Sequence, residues 1–493
     1  MPSRRSDCGT GADGTEVTFR EYESHDALGL ARLVARREVS PHELLDAALA
    51  RIEARDGALG AIVLDLADEA RRAIDRGLPE GPFTGVPFLL KDLGVFTAGH
   101  TTTGSCPLFA DFVPDHDSTI VERYRAAGLV IFGKTKTPEL GVSVTTEPKL
   151  YGPTRNPWNP GLSPGGSSGG AAAAVAAGYL PMAHATDGGG SIRIPGSLTG
   201  LFGLKPSRGR NPAGPDLGEG LAGMVTSHCL ARSVRDSAAL LDASAGPAPG
   251  DPYAAPPLER PLLDEVGAPP GRLRIALCTT GFDGVPVDPE CAKAATDAAK
   301  LCEQLGHHVE EARPDLAGLS LTRAWRLVPA VNLWNLVHAR ARELGREPRP
   351  GDLEPVNWAW MNEAPGHSAA DYMATVNMMH AFARRLGAFL ARYDLIVTPT
   401  LAVPSLKLAA ITTDHDDVGR HVTRLFNRIA PHTALFNQTG GAAMTVPLHW
   451  TADGLPVGVH FAAGLGDEPK LIRLAAQLEQ ARPWFDRRPP PPA

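Results

Sequence analysis

Cysteine is sparse in this chain of 493 residues, and its six copies (Cys8, Cys106, Cys229, Cys278, Cys291, Cys302) form no C-x-x-C pair and no Cys/His cluster at zinc spacing. A disulfide framework and a structural zinc site are therefore not supported, and the cysteines read as reduced and structural. Long hydrophobic runs are missing too. No stretch approaches the roughly 18 apolar residues that a spanning helix needs, and Met1 to Thr15 lacks the apolar core of a signal peptide despite Arg4 and Arg5. The expectation is a cytoplasmic protein without a membrane partner. Nor is there an excess of basic charge. A net charge of −7 leaves no electrostatic footprint for nucleic acid.

What remains is ordinary for a globular protein, with 43% hydrophobic and 21% charged residues. Residues 1–17 and 489–493 are polar or proline-rich and read as tails around one domain, 18–488. Ser40-Pro41-His42-Glu43 has the form of a capping box with proline at the first helical position, and apolar residues follow at helical spacing. Val86 to Leu90 is a short apolar run ending in Lys91-Asp92, as expected of a buried strand that delivers its last residues to a site. Ser118 is a candidate cap for a helix ending at Gly128. Leu129 to Phe132 and Leu273 to Leu277 read as further strands, the latter followed by a helix from Pro289 to Leu305. Strands alternating with helices predict a layered α/β architecture with a largely parallel or mixed sheet.

Glycine and serine concentrate in two blocks, Gly165-Gly166-Ser167-Ser168-Gly169-Gly170 and Thr186-Asp187-Gly188-Gly189-Gly190-Ser191-Ile192-Arg193. A flexible linker is the simplest account of either block alone. The flank of the first disagrees with it, because Ala171 to Ala177 closed by Gly178 is a good helix, which puts that block at a helix N-terminus.

Together with Gly85 to Leu93, Gly133 to Glu139, Thr154 to Asn159, Gly203-Leu204-Lys205-Pro206 and Phe436 to Gly440, these blocks make the sequence resemble the amidase-signature family from about Ser24 to Arg488. Within it the chain is similar to bacterial hydrolases of the 6-aminohexanoate cyclic dimer type, which share Thr145-Thr146-Glu147-Pro148. The resemblance implies a single α/β/α domain with a central mixed sheet covered by helices. It also implies hydrolysis of small, partly apolar amides, extending to carbamate, urethane and ester bonds, with no metal and no cofactor, by a monomer or homodimer.

The same resemblance implies the roles. Ser191 is the nucleophile, Lys91 the base and Ser167, after a cis peptide from Gly166, the relay between them; a serine hydroxyl needs such a base to attack an acyl carbon. A lysine of ordinary pKa is only about 0.04% neutral at pH 7, so burial at the end of the apolar strand is required to make Lys91 a base. The N–H groups of Gly188, Gly189, Gly190 and Ser191 form the oxyanion hole. Ser168 is placed to bond Lys91 and cap the alanine helix, and Asp187 and Arg193 bracket the turn, either paired to hold it or joined in a surface salt bridge. Ile194 stands where the glutamine-dependent amidotransferase subunits of the family carry glutamine, which counts against their role.

Other motifs compete. Gly165 to Gly169 satisfies G-x-S-x-G, but turn sequence precedes it where a nucleophile elbow needs a strand. Gly128 to Thr135 satisfies the P-loop pattern, but its middle residues are large and apolar and Pro138 obstructs the helix that should follow. Lys134 and Lys205 compete with Lys91 for the base and read as solvated or structural lysines; His184 reads as a packed core residue. Leu321 to Arg392 is rich in Trp (Trp325, Trp334, Trp358, Trp360) and holds Met361, Met373, Met378 and Met379. It reads either as helical core or as an apolar cover over the substrate.

Overall fold

The computed structural model describes Phe19 and residues 21–490, so the expected tail 1–17 and the last three residues lie outside the described part. The described residues form eleven strands: β1 (Ile62–Asp65), β2 (Pro87–Lys91), β3 (Val130–Thr135), β4 (Met182–Asp187), β5 (Phe202–Lys205), β6 (Thr226–Ala231), β7 (Arg274–Leu277), β8 (His308–Glu311), β9 (Leu395–Pro399), β10 (Ala443–Trp450) and β11 (Pro456–Ala462). Eight of them make one mixed sheet in the order β4-β6-β5-β10-β11-β9-β7-β8. Pairing is antiparallel from β4 through β9 and parallel only where β7 joins β9 and β8.

This sheet is covered on both faces, as its sequence dictates. Successive strand side chains point to opposite faces, and consecutive apolar residues here go to different cores. Val397, Met444 and Phe461 pack with the helices Pro289–Gln304 and Glu468–Ala481, whereas Ile396, Ala443 and Ala462 pack with the helix Ala369–Leu390. The result is the expected single α/β/α domain. Ser40 caps the helix Pro41–Leu59 by the reciprocal box with Glu43, and Gly60 ends it in the left-handed conformation. Ser118 stands at the start of the helix Thr119–Ala126 without capping it; its hydroxyl accepts from the Phe96 N–H instead.

The small sheet β1-β3-β2 carries the first functional segment. Leu89 and Leu90 are fully buried, each worth roughly 1.5–3 kcal/mol of burial, and they anchor the strand that ends at Lys91. β2 abuts the edge of the large sheet, where the Lys91 N–H donates to His184 Nδ1 on β4 at 3.2 Å. β3 runs further than expected, through Gly133-Lys134-Thr135, so the P-loop pattern is strand rather than phosphate loop. Ser167 is preceded by turns and isolated bridges, not by a strand, which removes the nucleophile elbow.

Candidate active site

Three elements end at one point. β2 ends at Lys91, the helix Gly169–Ala176 begins just after Ser167 and Ser168, and β4 ends at Asp187 where the glycine loop starts. Lys91 Nζ donates to Ser167 Oγ at 2.7 Å, to Ser168 Oγ at 3.0 Å and to Thr186 Oγ1 at 2.8 Å. All four side chains are buried. Burial pushes the amine down to about 7, against the pull of the Asp187 charge, and its three neighbours are uncharged hydroxyls, which can accept its protons or donate to the lone pair of the neutral form. Roughly half of such an amine is neutral at pH 7.

The Gly166–Ser167 peptide is cis. Gly166 has no room for a side chain, since a Cβ there would stand 2.6 Å from the Thr145 carbonyl oxygen. Ser168 bonds Lys91 as expected but does not cap the alanine helix; its hydroxyl donates to the Thr186 carbonyl at 3.2 Å instead. Thr186, which sequence reading passed over, completes the cradle. Its position just before the glycine block was the available signal.

Ser191 follows the glycines on the turn into the helix Arg193–Thr199. It is partly exposed, its hydroxyl has no protein partner among the described residues, and Ser167 by contrast is buried. The N–H groups of Gly188, Gly189 and Ser191 likewise donate to no acceptor among the described residues. Gly190 departs from its expected role, because its N–H donates to Asp187 Oδ1 at 2.8 Å. The donor set available to a ligand is therefore smaller than the four expected.

Asp187 and Arg193 form a fully buried, bidentate pair, with Nε to Oδ2 and Nη2 to Oδ1 both at 2.9 Å. Burial opposes the Asp187 charge, but Arg193, Lys205 and Asn437 together hold its carboxyl well below the usual carboxylate range. Asn437, from the Phe436 to Gly440 motif, accepts from Arg193 Nη2 at 2.7 Å and donates to the Asp187 carbonyl at 3.0 Å. Thr433 Oγ1 donates to the Gly189 carbonyl at 2.6 Å. The loop is thus held from both sides. Removing one member of a buried pair leaves the other charge uncompensated at a cost of about 3–5 kcal/mol, so Arg193→Ala is expected to lower the melting temperature by several degrees in a scanning fluorescence measurement. An unchanged melting temperature would contradict the role given to this pair.

The competing lysines are buried in strands, not solvated. Lys134 Nζ donates to the Thr101 carbonyl at 2.7 Å and to Thr102 Oγ1 at 2.5 Å, and Lys205 Nζ to the Pro206 carbonyl at 2.8 Å. Burial pushes them down to about 8 and about 7, yet neither bonds a serine. His184 is a core residue, fully buried and edged by Tyr124.

In the Trp-rich segment, Trp360, Met361 and Met379 are core, Trp334 stacks on His338, and Met373 is exposed. Trp325 belongs to the same buried cluster and also reaches the glycine loop. It stacks on Phe426 directly over the glycine loop, with ring centroids 4.2 Å apart. Trp358 lines a cleft of about 460 Å³ beside Glu139, together with Leu353, Glu354 and Leu150. Among the described residues no helix is long and apolar enough to cross a membrane.

The Amidase family pattern matches residues 43–472. A 6-aminohexanoate-cyclic-dimer hydrolase of Pseudomonas sp. (strain NK87) is 39% identical over 475 residues, covering 94% of this chain and 96% of the relative. The solved structure of a 6-aminohexanoate cyclic dimer hydrolase superposes with a TM-score of 0.91 at 38% identity, over 95% of this chain and 99% of that one. A bacterial aryl acylamidase of the amidase-signature enzymes superposes with a TM-score of 0.84 at 27% identity, over 94% and 98%. With the family pattern and near-complete relatives in agreement, the chain belongs to the amidase family of carbon–nitrogen hydrolases.

Proposed function

We propose that Ser191, Ser167 and Lys91 hydrolyse small, partly apolar amides through an acyl-enzyme. The observation that carries this reading is the buried Lys91 amine, lowered to about 7 and bonded to Ser167 Oγ at 2.7 Å. Ser191 Oγ adds to the amide carbonyl while its proton passes to Ser167 and the Ser167 proton to Lys91. The unengaged N–H groups of Gly188, Gly189 and Ser191 stabilise the oxyanion of the tetrahedral adduct. Collapse breaks the C–N bond, and the proton returns through Ser167 to the leaving amine. Water then adds to the ester by the same relay, releasing a carboxylic acid and restoring Ser191. No step calls for a metal, a cofactor or a partner subunit.

Carbamates and esters present the same sp² carbonyl to the same donors, so the reading extends to both. The named relatives, a cyclic dimer hydrolase and an aryl acylamidase, support an amide substrate for this chain.

The test is the pH dependence of kcat/KM on an anilide. Protonated Lys91 cannot accept a proton, so activity is lost as pH falls through its pKa and is fully present above it. An acid limb with a midpoint near 7, followed by a plateau, is expected. A profile flat between pH 5 and 9, or one that falls across this range as pH rises, would contradict the assignment of Lys91 as base.

A further inference from the structure

Irregular backbone converges on the face of the glycine loop. Trp325 lies in the helix Leu321–Glu343, which contains Pro329 four residues later; proline has no N–H, so the Trp325 carbonyl lacks its ordinary helical partner. Phe426 lies in a single π-helical turn, Arg424–Ile429, of the kind that often interrupts helices at functional sites. The two rings stack at 4.2 Å with an interplanar angle of 26°. Their edges occupy the place where Gly189 would carry a side chain: Trp325 Cζ2 and Phe426 Cε1 stand 2.7 and 2.8 Å from that Cβ position. Leu221 and Val225 close in the same way on Gly188, at 3.6 and 3.2 Å.

Ser167 Oγ returns the proton to the leaving nitrogen, and the backbone next to it is Gly141, whose Cβ position is 3.4 Å away. Gly141 belongs to the turn Glu139–Gly141, and beyond Glu139 lies the cleft of about 460 Å³. The turn thus adjoins Ser167, and the ring pair adjoins Gly189.

We propose that the amine leaves toward the turn Glu139–Gly141 and that Trp325 and Phe426 form the acyl-side wall of the site, selecting acyl groups that are flat or straight at the carbon next to the carbonyl and turning away branched ones. This rests on the Ser191–Ser167–Lys91 reading. The pair is 5% and 7% exposed, so what it offers a polymethylene or aryl acyl group is a narrow, rigid rim, and a quaternary carbon would drive a methyl into ring atoms that cannot retreat from a packed core.

The test uses para-nitroanilides carrying hexanoyl, benzoyl or pivaloyl groups, and a second series of hexanoyl amides of increasingly large anilines. The wild-type chain is expected to prefer hexanoyl and benzoyl over pivaloyl by at least about tenfold in kcat/KM, the range that one misplaced methyl group commands. Trp325→Ala is expected to raise the pivaloyl-to-hexanoyl ratio about tenfold or more, and Phe426→Leu to raise it less, with the ranking of anilines unchanged. Each ratio compares two substrates on one sample, so a partly unfolded variant still reports. Ratios unmoved in both variants, or movement in the aniline series alone, would overturn the wall. Ser191→Ala run on the same panel separates the two ideas: if it is inactive while the ratios stay unmoved, only the wall falls, and if it retains wild-type activity the reading beneath it falls as well. A wild-type chain that cleaves no member of the panel overturns both.

Discussion

Replacing Ser191 by alanine is expected to lower kcat on an amide substrate by about 10⁴- to 10⁶-fold while the protein stays folded, the scale seen when the nucleophile of a serine hydrolase is removed. That corresponds to about 5–8 kcal/mol of barrier. The fold should survive because Ser191 is partly exposed and its hydroxyl bonds nothing among the described residues. The loss should also appear in kcat rather than in KM, since the neighbouring N–H groups and the ring pair over Gly189 are left in place. Burst kinetics on an activated ester, present in the wild type and absent in the variant, provide the check. Turnover within tenfold of wild type would contradict the role of Ser191.

Lys91→Ala and Ser167→Ala should each cost about 10²- to 10⁴-fold, the usual contribution of general acid–base catalysis. Their combination should cost little more than the worse of the two, because in the proposed relay Lys91 Nζ and Ser167 Oγ, 2.7 Å apart, handle one proton in sequence. Lys91→Arg should be no better than alanine, since guanidinium does not deprotonate in proteins. Steady-state kinetics of the two single variants and the double variant settle the matter: multiplicative losses would mean two independent roles rather than a relay. Lys205→Ala is the informative contrast. Its amine is equally buried and equally lowered, yet it bonds only the Pro206 carbonyl, so its loss should tell on stability more than on the acid limb of the pH profile.

How much of this the sequence discloses depends on how local each feature is. Lys91, Ser167, Ser168 and Ser191 sit in short motifs whose neighbours carry the signal: an apolar strand that ends in a lysine, and glycine-dense turns beside a helix. The buried Asp187–Arg193 pair lies six residues apart and was legible as a pair, although its burial was not. Asn437, which clasps that pair from 250 residues beyond Asp187, was visible only as part of a motif without a role. Thr186 is visible only as the first residue of the second glycine block, with no role attached to it. Gly190 looks in sequence like one more oxyanion donor, and only the tertiary structure shows its N–H turned toward Asp187. The polar sequence neighbours of Lys134 and Lys205 suggest solvated or structural lysines, but β3 and β5 carry both into the interior, where Lys134 bonds the Thr101 carbonyl and the Thr102 hydroxyl and Lys205 the Pro206 carbonyl.

The Trp-rich segment shows the same limit. Composition alone could not divide it, since core and substrate cover call for the same residues. The contacts do divide it: Trp325 shares one buried cluster with Trp360 and Met379 but is also pressed onto Gly189. What separates them is long-range placement over the glycine loop, which no local periodicity encodes.

The central claim, that Ser191 and not Ser167 forms the acyl-enzyme, is tested most directly by trapping the protein with a serine-directed acylating inhibitor and locating the adduct by peptide mass spectrometry. The account predicts one adduct, on Ser191, absent from Ser191→Ala and slowed by protonation of Lys91 below pH 6. An adduct on Ser167 with Ser191 unmodified would contradict it.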